Sequence, residues 1–114
     1  MDSTELILLY DYYGALLTQR QQLCFEMRYH QDLSLGEIGE ELGISRQGVH
    51  DNLSRTEAML RKMEEKTGCV RRDVSCRRAS KKILQSAIRL TQHNDPNVSA
   101  LAADIVAAAE TLGE

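Results

Sequence analysis

Tryptophan is absent from this sequence, proline and phenylalanine occur once each, and there are seven glycines. This composition favours helices over a β fold rich in turns. No apolar run approaches the roughly 18 residues that a membrane-spanning helix requires. The first nine residues, MDSTELILL, are acidic at their start and have only a short apolar run, which is not the pattern of a signal peptide. We therefore expect a small all-α protein of the cytoplasm that does not enter a membrane.

Cysteine and histidine are also scarce, with three residues of each type. An odd number of cysteines fits a reducing compartment better than a disulfide framework. Cys69 and Cys76 are seven positions apart, a poor match to the short spacing of structural zinc sites, even with His93 as a third ligand. The sequence also has no P-loop and no pattern that suggests a catalytic triad. We expect no metal, no cofactor and no enzymatic activity.

The net charge of −3 conceals a strong asymmetry along the chain. Residues 1–44 carry a net charge of −6, residues 45–82 carry +6, and residues 83–114 carry −3. A localised basic segment is typical of a surface that binds a polyanion, although runs of charge also form ordinary solvated helix faces. The charge pattern therefore favours a nucleic-acid partner without requiring one.

Residues 34–66 have the pattern of a helix-turn-helix. Ser34 and Glu37 form an S-x-x-E capping box at the start of the first helix of this motif. Gly43 provides the backbone freedom of a tight helix exit, and Ser45 is placed to cap the second helix. Residues at three- to four-residue spacing predict the buried face of that second helix: Val49, Leu53, Thr56, Leu60 and Met63.

Two helices are predicted before this motif and two after it. The six predicted helices cover about residues 4–17, 19–30, 34–42, 45–66, 78–92 and 98–112. Thr18 and Gln21 form a second capping box. The basic residues 69–82 are either a linker or the start of the next helix. We expect a helix-turn-helix domain over residues 1–68, and a basic linker with C-terminal helices over residues 69–114.

The apolar residues of the first two helices are expected to face inward. They are Leu6, Leu9, Tyr10, Tyr13, Leu16, Leu17, Leu23, Cys24, Phe25 and Met27. Tyrosines on such a face more often pack in a core or between subunits than stack on bases. The pattern leaves apolar surface on the first helix, at Leu6, Tyr10 and Tyr13, and on the helices of residues 83–112. We therefore predict a homodimer.

The start of the second helix of a helix-turn-helix contacts the major groove. Five residues there point away from the predicted buried face: Ser45, Arg46, Gln47, His50 and Ser54. Arginine can bind guanine and glutamine can bind adenine through paired hydrogen bonds. Three residues further along suit phosphate contacts: Arg55, Arg61 and Lys62. Asp51 would repel phosphates unless it is neutralised, and Arg55, four residues later, is well placed to pair with it.

Three segments resemble a known family: LLYDYYGALLT at residues 8–18, DLSLGEI at 32–38 and SRQGVHDNLSRTEAML at 45–60. The sequence is similar to the fourth conserved region of bacterial sigma factors. More specifically it looks like the YlxM family, helix-turn-helix proteins encoded beside the GTPase of the bacterial signal recognition particle. The resemblance covers about residues 5–68. It implies a fold like sigma region 4, self-association and a regulatory role linked to the signal recognition particle pathway.

Two functions remain open from the sequence. The first is a regulator of transcription that binds nucleic acid, most simply double-stranded DNA, with Arg46, Gln47, His50 and Ser54 at base edges. The second is an accessory factor that binds the protein or the RNA of the signal recognition particle, and the acidic residues Asp51 and Glu57 on the second helix favour it.

Overall fold

The computed structural model describes residues 3–112, which form six α-helices and one turn of 3-10 helix and include no strand. The elements are α1 Ser3–Tyr13, the 3-10 turn Gly14–Leu16, α2 Gln19–Tyr29, α3 Leu35–Leu42, α4 Arg46–Thr67, α5 Cys69–Leu90 and α6 Pro96–Thr111. The predicted all-α class is confirmed. Residues 1–2 of the predicted region 1–68 and residues 113–114 of the predicted region 69–114 lie outside the described residues. The chain divides into two compact units, one up to Val70 and one from Arg71 onward.

Both predicted capping boxes are present in the first unit. Thr18 Oγ1 accepts the backbone N–H of Gln21 at 3.2 Å, and Gln21 Oε1 accepts that of Thr18 at 3.0 Å. Ser34 and Glu37 exchange the same pair of bonds at 3.1 and 3.0 Å. Each box satisfies amides that the first turn of a helix leaves without intrahelical partners. The capping boxes thus define where α2 and α3 begin.

The turn between α3 and α4 depends on two glycines. Gly43 adopts φ 70°, in the left-handed region, and ends α3. The amides of both Gly43 and Ile44 donate to the carbonyl oxygen of Gly39, the latter at 3.0 Å. A Cβ atom on Gly39 would lie 2.6 Å from the carbonyl oxygen of Ile44, closer than real Cβ contacts come. Glycine at position 39 therefore permits the close passage of the turn over α3.

Two apolar clusters hold the first unit together. One joins α1 to α2 and α4, and its buried members are Leu6, Leu9, Tyr10, Tyr13, Leu17, Phe25, Leu60 and Val70. The other lies within the helix-turn-helix, where Cys24, Ile38 and Val49 are completely buried. The predicted inward stripe of α4 is confirmed, since Val49, Thr56 and Leu60 have no exposed surface and Leu53 and Met63 pack beside them.

The core contradicts two details of the predicted helix faces. Leu16 and Leu23 are 69% and 39% exposed, although both were expected to face inward. Leu16 is exposed because α1 ends at Tyr13 and a 3-10 turn follows, so the predicted helix over 4–17 is too long. Leu17 adopts an extended conformation ahead of the Thr18 cap and is 6% exposed. On α2 the buried residues are Cys24 and Phe25, and Leu23 lies at the edge of that side.

The prediction of an apolar patch on α1 is also wrong. Leu6, Tyr10 and Tyr13 are 3%, 9% and 5% exposed, because they form the contact of α1 with α2 and α4. The ring of Tyr10 stacks on that of Phe25 with centroids 4.2 Å apart. The α1 face is therefore interior to the first unit and presents no surface for a second copy.

A buried hydrogen-bond cluster closes the C-terminal end of α4. The hydroxyl of Tyr13 donates to Glu64 Oε1 at 2.6 Å, and the backbone N–H of Val70 donates to the same oxygen at 3.0 Å. Burial, followed by the bond to Glu64, raises the pKa of Tyr13. Glu64 thereby links α1 to the first turn of α5, just after Gly68 has ended α4 in the left-handed conformation.

The second unit consists of α5, from Arg71 onward, and α6. Because α5 begins at Cys69, the alternative of a basic linker over residues 69–82 is wrong, and the helix starts well before the predicted residue 78. The two helices pack through small residues: Ala87, Ala102 and Ala109 are buried, and the hydroxyl of Ser80 donates to the carbonyl oxygen of Ala109 at 3.2 Å. Small side chains let the two backbones approach closely.

Candidate nucleic-acid interface

The orientation of the outward face of α4 is fixed by the N-cap of the helix and by the burial of its opposite face. Ser45 Oγ accepts the backbone N–H of Gly48 at 3.0 Å and so satisfies one amide of the first turn. Val49, Thr56 and Leu60 anchor the opposite side in the core. All eight residues predicted to contact nucleic acid are exposed: Ser45, Arg46, Gln47, His50, Ser54, Arg55, Arg61 and Lys62.

The outward face of α4 has basic residues along both borders, with the carboxylates of Asp51 and Glu65 near its centre and that of Glu57 on one border. At about 100° per residue, Gln47, Asp51 and Ser54 lie nearly opposite the buried stripe. Arg46, His50 and Arg61 fall along one border of this face, and Arg55 and Lys62 fall along the other. Lys66 continues the second border. It is not among the predicted contact residues, although it lies four positions after Lys62 and the same helical periodicity places it on this border. A polyanion lying along α4 would meet cations on both sides.

Asp51 has partners other than the expected one. Its Oδ1 accepts a hydrogen bond of 3.0 Å from the side-chain amide of Gln47 and lies 3.6 Å from Nδ1 of His50. In the described part of the chain it makes no ion pair with Arg55, so the predicted pairing is wrong. Gln47 and Arg55 both lie four residues from Asp51, so the two side chains compete for one carboxylate, and Gln47 holds it. Asp51 therefore connects two predicted base-contacting residues.

Two further contacts lie along α4, one on its outward face and one on its inward face. Arg61 donates from Nη2 to Glu57 Oε1 at 2.7 Å, in an ion pair between exposed side chains one turn apart. On the inner side, the hydroxyl of Thr56 donates to the carbonyl oxygen of Asn52 at 2.9 Å. Asn52 Oδ1 is buried and has no hydrogen-bond partner among the described residues. The Asn52–Thr56 pair therefore lies on the packed side of the helix, while the guanidinium of Arg61 is partly occupied by Glu57.

The first turns of α3 and α4 face a common depression. It is lined by Leu35 from α3 and by Arg46, Gln47 and His50 from α4. Three of the residues predicted to contact base edges therefore meet in one place, beside the N-terminus of α3. Ser54 lies two turns further along α4 and does not line it.

The cysteines and histidines do not converge. Cys24 is buried, and burial raises the pKa of its thiol, while Cys69 and Cys76 are exposed on α5. No group of three or more His, Cys, Asp or Glu side chains among residues 3–112 is placed to hold a metal ion. None of the helices described is long and apolar enough to cross a membrane.

The helix-turn-helix geometry agrees with the comparison to known families. The sequence model of UPF0122, described as "Putative helix-turn-helix protein, YlxM / p13 like", matches residues 1–98. The chain belongs to the UPF0122 family. The resemblance seen over residues 5–68 is thus confirmed and extends through α5 into the start of α6. The description names a fold and no catalytic activity.

Individual relatives match part of the chain at high identity. A UPF0122 protein of Thermoanaerobacter sp. (strain X514) is 62% identical over 65 residues, which is 57% of this chain and 56% of the relative. One of Acetivibrio thermocellus is 48% identical over 81 residues, 71% of this chain and 69% of the relative. One of Bacillus cereus (strain AH187) is 53% identical over 64 residues. The matches to the first and third span little more than half the length of those relatives.

Proposed function

We propose that this UPF0122 protein is a cytoplasmic regulator of transcription that binds double-stranded DNA through the outward face of α4. The observation that carries the proposal is the arrangement of that face, with Arg46, Gln47 and His50 meeting at the first turns of the helix-turn-helix and cations along both borders. Base edges would be contacted by the N-terminal turns of α4, and phosphates by Arg55, Arg61 and Lys62.

Selection from a pool of random duplex DNA, followed by titration at several salt concentrations, tests this function. Arg46→Ala should weaken discrimination between selected and mutated sites by about 1–3 kcal/mol. Lys62→Ala, one charge removed at the border, should weaken binding to all sequences alike and lower the salt slope by about 1. Absence of duplex binding at low salt would refute the proposal.

One feature favours a second candidate, an accessory role in the signal recognition particle pathway. Asp51 lies in the middle of the outward face, where a phosphate-binding surface would place neutral or basic groups, and it holds the amide of Gln47. A carboxylate there suits a contact with a basic protein surface. Capture of the particle's protein by the intact chain, abolished by Asp51→Lys, supports this candidate. Under the DNA-binding proposal the same substitution strengthens binding to duplex DNA.

Self-association is the remaining part of the proposed function. The second unit has exposed apolar side chains along one side of its two helices: Ile83, Leu90, Leu101, Ile105 and Leu112. A homodimer would bury this surface, which a small protein seldom leaves in water. Sedimentation velocity should give a dimer whose dissociation is promoted by Ile105→Lys. Ala103→Lys, an equal change elsewhere on the exposed surface of α6, should not have this effect.

A further inference from the structure

The basic residues of α5 are ordered into a line that the sequence alone did not reveal. Four basic residues follow one another at intervals of seven, four and seven residues within this one continuous helix: Arg71, Arg78, Lys82 and Arg89. At about 100° per residue they fall within an arc of about 40°, on the side opposite the buried residues Ser80 and Ala87. We call these four residues the outer stripe. It is about 27 Å long at 1.5 Å per residue.

Three residues of the outer stripe, Arg78, Lys82 and Arg89, have no compensating carboxylate among the described residues. All four side chains are exposed. Asp73 is the one acidic residue of α5, and it lies on the opposite side of the helix, where its Oδ2 is 3.4 Å from Nε of Arg77. Among the described residues, no carboxylate forms an ion pair with Arg78, Lys82 or Arg89. Like charges one turn apart, such as Arg78 and Lys82, repel each other, so a polyanion along this line would relieve that repulsion.

The residues beside the outer stripe distinguish between kinds of polyanion. Ser75, Gln85 and Ser86 lie along it, and all three are exposed. Hydroxyl and amide groups donate readily to phosphate oxygens. A helix that binds a membrane surface needs large apolar side chains beside its basic residues, so that they enter the lipid. The outer side of α5 carries one such apolar residue, Val74, at its edge, and the other neighbours of the stripe are polar, which favours a phosphate backbone in water.

We propose that the outer stripe of α5 is a second DNA-binding surface, which contacts the phosphate backbone of a duplex without reading its sequence. Over 27 Å a DNA duplex presents about 16 negative charges, at one per 1.7 Å of axis, so a line of four cations neutralises only part of them. The surface belongs entirely to the second unit, and its binding does not depend on base contacts by α4. Its contribution is to affinity and to salt dependence.

A matched pair of double variants of the full chain tests this surface. Arg78→Gln with Lys82→Gln removes two charges from the outer stripe. Arg72→Gln with Lys81→Gln removes two charges from the same helix, at exposed positions on its other sides. The first pair should lower the salt slope for duplex DNA of random sequence by about 2, at 0.9 per phosphate contact, and the second pair by clearly less. Equal effects of the two pairs would overturn the proposal, since they would indicate a general effect of net charge.

Further measurements separate this surface from α4 and from other ligands. Circular dichroism of both double variants verifies that the helices remain. If Arg46→Ala leaves sequence preference unchanged while the outer-stripe pair lowers the salt slope, base reading by α4 is refuted and the second surface stands. If neither pair changes the slope, the second surface is refuted whatever α4 does. Binding of duplex RNA or of vesicles of phosphatidylglycerol that depends on the outer stripe, with DNA binding unaffected by it, also contradicts the proposal.

Discussion

The side-chain amide of Gln47 donates a 3.0 Å hydrogen bond to the carboxylate of Asp51, one turn further along the outward face of α4. The bond places a negative charge beside a residue proposed to contact bases, and it occupies the amide that would donate to adenine. A nucleic-acid ligand must therefore displace this contact or accommodate it.

Replacing Asp51 with alanine should strengthen binding to duplex DNA at low salt. The change frees the amide of Gln47 and removes repulsion of about 1 kcal/mol from a nearby phosphate, so we expect a gain of about fivefold in affinity. Asp104→Ala, the same change of charge at an exposed position of α6, is the control and should have little effect. Weaker binding by the Asp51 variant would mean that this carboxylate makes a favourable contact of its own.

Gly39→Ala should destabilise the helix-turn-helix, because the added Cβ would lie 2.6 Å from the carbonyl oxygen of Ile44. Moving the backbone of the turn to make room should cost about 1–3 kcal/mol in the free energy of unfolding. Gly36→Ala is the control in the same helix, since a Cβ there meets only Ser34 Oγ, at 3.9 Å. This second change should be neutral or stabilising by up to about 1 kcal/mol. Urea denaturation measures both, and equal stabilities would contradict the close approach.

Acid should weaken the start of α3 through Glu37. Hydrogen bonds from the backbone N–H and then the hydroxyl of Ser34 lower the pKa of this carboxyl below its ordinary value of 4.5. Ionised Glu37 therefore favours the native state above pH 4.5, and this contribution is lost as the pH falls through the lowered pKa. Glu37→Gln keeps an acceptor oxygen but cannot titrate, so its free energy of unfolding should fall less than that of the native protein between about pH 6 and about pH 3.

The equivalent box on α2 supplies the reverse experiment. Gln21 occupies there the position that Glu37 occupies on α3, and it carries no titrating group. Gln21→Glu should introduce a loss of stability in acid that the native box lacks. If both substitutions leave the pH dependence of unfolding unchanged, the hydrogen bonds of the boxes do not favour the ionised carboxylate.

Tyr13→Phe should cost about 0.5–1.5 kcal/mol, or somewhat more because the lost bond is to a charged group. The substitution removes the hydroxyl that donates to Glu64 and is also hydrogen-bonded to the hydroxyl of Thr67 at 2.6 Å, and it leaves the packing of the ring in place. Tyr29→Phe is the matched control, because the Tyr29 hydroxyl makes no hydrogen bond among the described residues while its ring packs against the same cluster. Thermal unfolding followed by circular dichroism compares the two. A loss of similar size in both variants would exclude a stabilising role for the hydrogen bonds of the Tyr13 hydroxyl.

Local chemistry accounts for most of what was predictable in this fold. Capping boxes, the left-handed glycine and the spacing of Val49, Thr56 and Leu60 are properties of neighbouring residues, so they identify α2, α3 and α4 without knowledge of the rest. The exposure of the eight predicted contact residues follows from the same periodicity. Once the buried face of a helix is identified, the periodicity predicts which residues are exposed on the opposite face.

The all-α class, the helix-turn-helix and the polarity of α4 could be predicted from the residue pattern, because they depend on contacts between residues a few positions apart. Tertiary structure decided which of Leu16 and Leu17 enters the core, and that the tyrosines of α1 are interior, since both depend on how α1 meets α2 and α4. It also decided the helical state of the basic residues after Gly68. Their charges and periodicity suited a linker or a helix equally well. Packing of Ser80 and Ala87 against α6 stabilises the helix, and the helix aligns the four residues of the outer stripe.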